Sequence, residues 1–296
     1  VATLREIRRR IGSVKNTQKI TRAMKMVAAA KLRRAQESIV SARPYARRIG
    51  SLLKHLLNQV DAKHKPLLRE RDIKTIAIVV VTADRGLCGA FNSNIIRTAV
   101  QQIETQYADH LKSDRLKIVT VGKKGFDYFN KRGYPVFAKH VGIYHDLDFN
   151  HARTIVTELT DAYLRGLIDR VVVIYNEFKS VVQQRIVVEQ FLPVPPIDVT
   201  EHENSTNLVN YIFEPSSDRI IDAMVPRHLN FQMWRVLLES NAAEQGARMT
   251  AMGNATENAK ELIRDLTLVY NNARQAAITK ELLEITAGAE ALKKAG

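Results

Sequence analysis

The chain of 296 residues holds one cysteine, Cys88. A lone thiol closes no internal disulfide and builds no cysteine cage for zinc, and it fits a reducing, intracellular setting. Long apolar runs are missing as well. The longest is Ile76–Val81, far short of the roughly 18 residues that a membrane-spanning helix needs. Acidic residues are scarce at the start: residues 1–50 carry fourteen Lys/Arg against only Glu6 and Glu37, so the formal charge of +14 belongs almost wholly to that segment. Aromatic side chains are absent before Tyr45, and only Tyr270 follows Trp234. The bulk that fills a globular core therefore sits between two ends of a different kind. Wholesale disorder is excluded by a hydrophobic content of 45%.

The first end is periodic. Leu4, Ile7, Ile11, Val14, Gln18, Thr21, Lys25, Ala28, Leu32, Ala35, Ile39, Ala42, Ala46, Ile49, Leu53, Leu56 and Val60 follow a 3-4 alternation, the pattern of a helix wound around a partner. Pro44 marks a possible kink, because proline removes an intrahelical hydrogen bond. From about Ser217 to Leu292 the other end is also helical, with Ile263, Leu266, Tyr270, Ala273 and Ala277 on one stripe and Ile278, Leu282, Ile285, Ala289 and Leu292 continuing nearby. Its small residues Gly246, Ala247, Ala251, Gly253, Ala255 and Ala259 suit a thin seam. The two ends are expected to pair antiparallel.

Between them strands and helices alternate. Ile73–Thr82, Leu116–Val121, Tyr134–Val141 and Arg170–Tyr175 read as strands, Asn92–Tyr107, Lys124–Lys131 and Asp148–Arg165 as helices, and Arg185–Phe191 as a further strand. That order predicts a parallel, Rossmann-like α/β sheet. The expected fold class is thus α/β: a long antiparallel two-helix coiled coil from the termini plus a central α/β domain. Its expected parts are a shaft helix over 1–60, the α/β domain over 72–195, a loop region over 196–216 and a second shaft helix over 217–296.

The chemistry is sparse. The turn Asp84-Arg85-Gly86-Leu87-Cys88-Gly89 follows a strand and precedes a helix, a place where α/β proteins bind phosphate. Its Gly86-x-x-Gly89 matches neither the dinucleotide nor the Walker pattern, so it reads first as a tight turn made possible by two glycines. Asp146 and Asp148 read as the start of the next helix rather than a catalytic pair. The eight histidines have no metal-ligand spacing and no Gly-x-Ser-x-Gly elbow occurs. No active site, metal or cofactor is expected. The basic first helix leaves several readings open: a targeting peptide, a basic-zipper nucleic-acid reader, a solvated face, or a rod beside an acidic surface.

Longer motifs narrow these readings. The stretch Ile11-Gly12-Ser13-Val14-Lys15-Asn16-Thr17-Gln18-Lys19-Ile20-Thr21-Arg22-Ala23-Met24-Lys25-Met26-Val27-Ala28-Ala29-Ala30-Lys31 closely resembles the amino-terminal helix of the gamma subunit of F-type ATP synthases. So do Ala247–Met252, Asn254–Ala259, Leu266–Asn271 and Arg274–Leu282, and the Asp84–Gly89 turn looks like the same family. The resemblance covers essentially the whole chain. It implies a non-catalytic rotor: a central shaft inside a ring of alpha and beta subunits, joined to the epsilon subunit and the c-ring, with no nucleic acid and no span of its own across the membrane. It also implies that Met24 and Lys25, with Arg274, Gln275, Thr279, Glu281 and Glu284 on the facing carboxyl-terminal stretch, meet the beta-subunit loops. A bacterial cell membrane, on its cytoplasmic side, is the implied location; the mitochondrial inner membrane, on its matrix side, is the alternative. Glycine at 253, where the family often has a bulkier residue, is a departure expected to soften the shaft. A basic coiled-coil nucleic-acid binder stands as the rival function.

Overall fold

The computed structural model describes residues 3–57, 65–181, 183–195, 214 and 216–295. Eleven elements follow in order: α1 (Leu4–Leu57), β1 (Ile76–Val81), α2 (Phe91–Gln106), α3 (Ala108–Lys112), β2 (Leu116–Val121), α4 (Lys123–Lys131), β3 (Val136–His140), α5 (Phe149–Leu164), β4 (Arg170–Phe178), β5 (Gln184–Leu192) and α6 (Ser217–Ala295). Val60 and nearly all of the expected loop region lie outside the described residues.

The chain divides into two compact units, and the division cuts both long helices. The terminal unit joins Val1–Val27 to Met249–Gly296, and the central unit is Ala28–Arg248. About half of α1 and the first part of α6 thus belong with the sheet.

In the central unit the sheet runs β3-β2-β1-β4-β5. The first four strands are parallel and β5 returns antiparallel to β4. A short return connection after β4 suits an antiparallel pair, since a parallel partner needs a long crossover. Successive residues of β1 point to opposite faces. Ala77, Val79 and Val81 enter a core with α5, the end of α1 (Leu53, Leu56) and the start of α6 (Ile221 to Leu237). Ile76, Ile78 and Val80 enter a second core with α2, Phe129 of α4 and Ala243. Helices therefore cover both faces, which is why β1 reads as an unbroken apolar run instead of an alternating one.

The stripe on α1 is used as its spacing predicts. From Leu4 to Leu56 every member is buried or half-buried except Lys25. The helix starts with a capping box: Glu6 N–H donates to Thr3 Oγ1 (3.3 Å), and Thr3 N–H donates to Glu6 Oε2 (2.9 Å). It continues through Pro44, as α6 continues through Pro226. Before α5, Asp148 does begin the helix, accepting from Phe149 N–H at 2.7 Å and sharing a capping box with His151. That backbone bond, with one from the Asn150 side chain, holds its carboxyl below the ordinary carboxylate range.

In the terminal unit α1 and α6 run antiparallel. The hydroxyls of Thr21 and Thr256 meet at 2.8 Å, while Lys25 lies beside Gly253, so the numbering falls on one helix as it rises on the other. Met252 and Ala259 are buried on the α6 side of this seam.

Candidate functional site

The residues expected to couple the shaft to a partner all belong to the terminal unit. Met24 is half-buried and Lys25 exposed. A Cβ placed on Gly253 would lie 3.7 Å from Lys25 Cε and 3.6 Å from its Nζ, so the Lys25 stem runs over the glycine. Lysine lays its methylenes on apolar surface and leaves the ammonium in water. This is how a lysine is tolerated in the stripe.

Arg274, Gln275, Thr279, Glu281 and Glu284 are all exposed. The antiparallel register does not bring them opposite Met24 and Lys25, which corrects the expectation that the two sets face each other. They begin about 20 residues beyond Gly253, about 30 Å of helix. An equal step back from Lys25 reaches the first residues of α1 at Leu4. Arg274 and Gln275 are thus level with the start of α1, and Thr279, Glu281 and Glu284 lie beyond it. Burial agrees: Ile263, Leu266, Tyr270 and Ala273 are half-buried, whereas residues 274–290 are exposed throughout. Among the described residues no helix lies against the expected continuation of the seam through Ala277, Ile278, Leu282, Ile285 and Ala289. Ile278, Leu282, Leu283 and Ile285 are instead large apolar side chains in the open. Lys280 pairs with Glu284 at 3.6 Å, and both are well exposed, so the pair adds little rigidity.

The phosphate position of the α/β fold is filled from within. In a doubly wound sheet a ligand binds beyond the carboxyl ends of the strands, where the strand order reverses. Here β1 lies between β2 and β4. Beyond β1 the Asp84 carboxylate accepts from Lys123 N–H at 3.0 Å, Gly142 N–H at 2.8 Å and Tyr144 N–H at 3.3 Å. Lys123 opens α4, so an internal carboxylate takes the anion position at that helix end. The Arg248 guanidinium donates to Glu244 Oε1 and also to the Gly86 carbonyl (3.2 Å) and the Arg85 carbonyl (3.5 Å).

The two glycines of this turn act differently from each other. Gly89 takes a left-handed backbone at φ 58°, but the other left-handed residue is Leu87 at φ 62°, not Gly86. Gly86 contributes its carbonyl to Arg248 instead. Cys88 is buried, its Sγ accepting from Asn92 Nδ2 at 3.2 Å, and burial pushes the thiol up from its ordinary value. A protonated, covered thiol is a poor nucleophile. Gly246, assigned from the sequence to the helix seam, lies against the sheet: a Cβ there would stand 3.3 Å from Phe178 Cε2. Among the described residues no three His, Cys, Asp or Glu side chains come together to hold a metal ion. Among the same residues no helix is long and apolar enough to cross a membrane.

A family model described as ATP synthase matches residues 3–292. The chain is 53% identical over 302 aligned positions to the ATP synthase gamma chain of Chloroherpeton thalassium, covering 99% of each. It belongs to the ATP synthase gamma-chain family. The gamma chain of Salinibacter ruber is 50% identical, with 100% of each chain covered. Among solved structures it is similar to a chain of the Tetrahymena thermophila mitochondrial ATP synthase central stalk and c-ring, with a TM-score of 0.61 and 27% identity, over 80% of this chain and 99% of that one. A chain of the Euglena gracilis mitochondrial ATP synthase, in a structure of OSCP, F1 and c-ring in rotational state 3, gives a TM-score of 0.69 at 20% identity, over 98% of this chain and 94% of that one. At that identity the likeness is one of fold. The rival nucleic-acid reading finds no support among these relatives.

Proposed function

We propose that this chain is the central rotating shaft of a bacterial F-type ATP synthase. It carries no catalytic site of its own and couples ion flow through a membrane c-ring to ATP synthesis or hydrolysis on the beta subunits of an alpha-beta ring. The observation that carries this reading is the 53% identity to a gamma chain over 99% of both chains. The terminal unit suits the task physically. An antiparallel helix pair with a seam of small residues is thin and stiff, and from Arg274 to Glu290 the side chains of α6 are all exposed. An exposed apolar set on that helix is shielded from water inside a surrounding ring.

The surface of the pair is asymmetric, so each rotation angle presents a different set of groups to each catalytic subunit. A shaft shifts the conformations of its partners only through such differential contact. Its uncompensated Arg and Lys side chains meet acidic loops as exposed pairs worth about 0–1 kcal/mol each. Contacts of that size bias an angle without locking it. The central unit, whose phosphate position is closed by Asp84 and Arg248, joins the shaft to the epsilon subunit and the c-ring. The protein is then peripheral to the bacterial cell membrane, on its cytoplasmic side.

Affinity purification of the tagged chain after nuclease treatment, followed by native mass spectrometry, tests this. One copy of the chain with three alpha and three beta subunits is expected. Recovery with nucleic acid and without those subunits contradicts the proposal.

A further inference from the structure

Arg235, Glu239 and Gly246 lie on one stripe of α6, within about 40° of each other at about 3.6 residues per turn, and all three engage the β4–β5 hairpin. The Arg235 guanidinium donates to Glu189 Oε1 of β5 at 2.8 Å. The other oxygen of Glu189 accepts from the Tyr175 hydroxyl of β4 at 3.4 Å. One turn on, Glu239 Oε2 accepts from the backbone N–H of Phe178, the last residue of β4, at 3.1 Å. Two further turns on, Gly246 has no side chain to displace the Phe178 ring, whose Cε2 comes within 3.3 Å of where a Cβ would stand.

Stability alone does not call for these contacts. Glu239 is 9% exposed, and a buried carboxylate that gains one backbone hydrogen bond gives up its water for it. The Arg235 and Glu189 side chains are partly exposed, so their pair adds little by itself. Glycine in a helix interior is disfavoured relative to alanine. The apolar side chains of α6 between Ile221 and Leu237 already hold the helix on the sheet. Apolar packing is non-directional, however, and packed helices slide by small steps. Hydrogen bonds have direction. With these in place α6 can neither slide along the hairpin nor roll on it without breaking a bond.

We propose that Arg235, Glu239 and Gly246 form a key that locks α6 to the β4–β5 hairpin and carries torque between the sheet and the helix. α6 runs on from the central unit into the terminal unit. A helix that turns with the sheet passes rotation on, and a helix that slips loses it. The torque role rests on the rotor reading; the lock itself does not.

The lock is tested on the full-length chain alone. Spin labels are placed at Ala223→Cys on α6 and Val188→Cys on β5, both exposed, in a Cys88→Ser background, and pulsed electron paramagnetic resonance reads their distance. One narrow distance is expected with the key intact, and also in Glu239→Gln, whose amide oxygen still accepts from Phe178. The distance should shift or broaden when Arg235→Met is combined with Glu239→Leu. It should do so as well in Glu189→Ala, which removes the strand side of the key and leaves α6 untouched. An unchanged distance in Glu189→Ala overturns the proposal even if the double variant does not fold.

The torque role is tested on the assembled complex in membrane vesicles. Ions pumped per ATP hydrolysed should fall in the double variant and in Glu189→Ala, and should hold in Glu239→Gln. A variant that is merely unstable loses complexes, so both rates fall together and their ratio stays. An unchanged ratio in a variant whose label distance has shifted overturns the torque role. A wild-type complex that pumps no ions overturns the rotor reading and the torque role with it, while the label distance still decides the lock.

Discussion

The hydroxyls of Thr21 and Thr256 stand 2.8 Å apart, joining α1 to α6 where the apolar stripe turns polar. Each is also bonded to its own helix, Thr21 to the Gln18 carbonyl at 3.1 Å and Thr256 to the Met252 carbonyl at 2.7 Å. A hydroxyl has one proton to donate. One threonine therefore donates across the seam while the other bonds back along its own helix. Replacing either by valine should cost about 1 kcal/mol, and replacing both should cost less than the sum by about 0.5–1.5 kcal/mol. Urea unfolding followed by far-UV circular dichroism measures this coupling. Strict additivity would show that the hydroxyls do not interact.

Gly253 is the departure that the sequence marks as a weak point, yet the space beside it is ordinary. The nearest atoms to a Cβ there are those of the flexible Lys25 side chain, at 3.6–3.8 Å. Gly253→Ala should therefore raise stability by about 0.5–1 kcal/mol, the helix-propensity difference. A fall in the thermal midpoint would mean that Lys25 cannot move aside.

His228 is buried, and that burial, reinforced by Arg235, depresses its imidazole to about 4. The neutral ring is favoured in the folded state. Its contribution to stability is full above the unfolded value near 6.5 and is lost as pH falls from there through about 4. The amount at stake is about 3 kcal/mol. Urea unfolding between these limits should show stability falling with pH in the wild type and a flatter profile in His228→Gln. Equal slopes would contradict the assignment.

Much of the fold is legible because its determinants are local. The 3-4 stripe of α1 needs only a count along the chain, and β1 declares itself by an apolar run buried on both faces. Asp148 is a cap by residue type and position. What is not legible depends on residues far apart. Arg248 reaches the Gly86 carbonyl across 162 positions, and nothing near either residue announces it. The left-handed backbone at Leu87 follows from how the turn packs, since residue type alone favours Gly86. Gly246 has the sequence look of a seam residue, but Phe178 is what sits against it. The level of Arg274 relative to Met24 is a matter of register between two helices far apart in the chain, which no local pattern states.

The coupling residues follow from the rotor proposal. Met24 is half-buried on the pair, and a lysine there brings a positive charge within reach of an acidic partner loop. A partly buried, charge-assisted pair is worth about 1–3 kcal/mol. It holds one angle more tightly and slows the step away from it. Met24→Lys should lower ATP synthesis more than hydrolysis with assembly intact, whereas Arg274→Ala or Gln275→Ala should impair both. Equal ion pumping per ATP hydrolysed in membrane vesicles of Met24→Lys and wild type would sink the assignment of Met24.

Single-molecule observation of the assembled complex tests the central claim most directly. The alpha-beta ring is fixed to a surface through the beta subunits, and a bead is attached to an engineered cysteine at the exposed position Leu87 in a Cys88→Ser background. On addition of ATP the account predicts that the bead turns in one direction, pausing at three equally spaced angles per revolution. A bead that stays fixed relative to the ring while the complex hydrolyses ATP would contradict it.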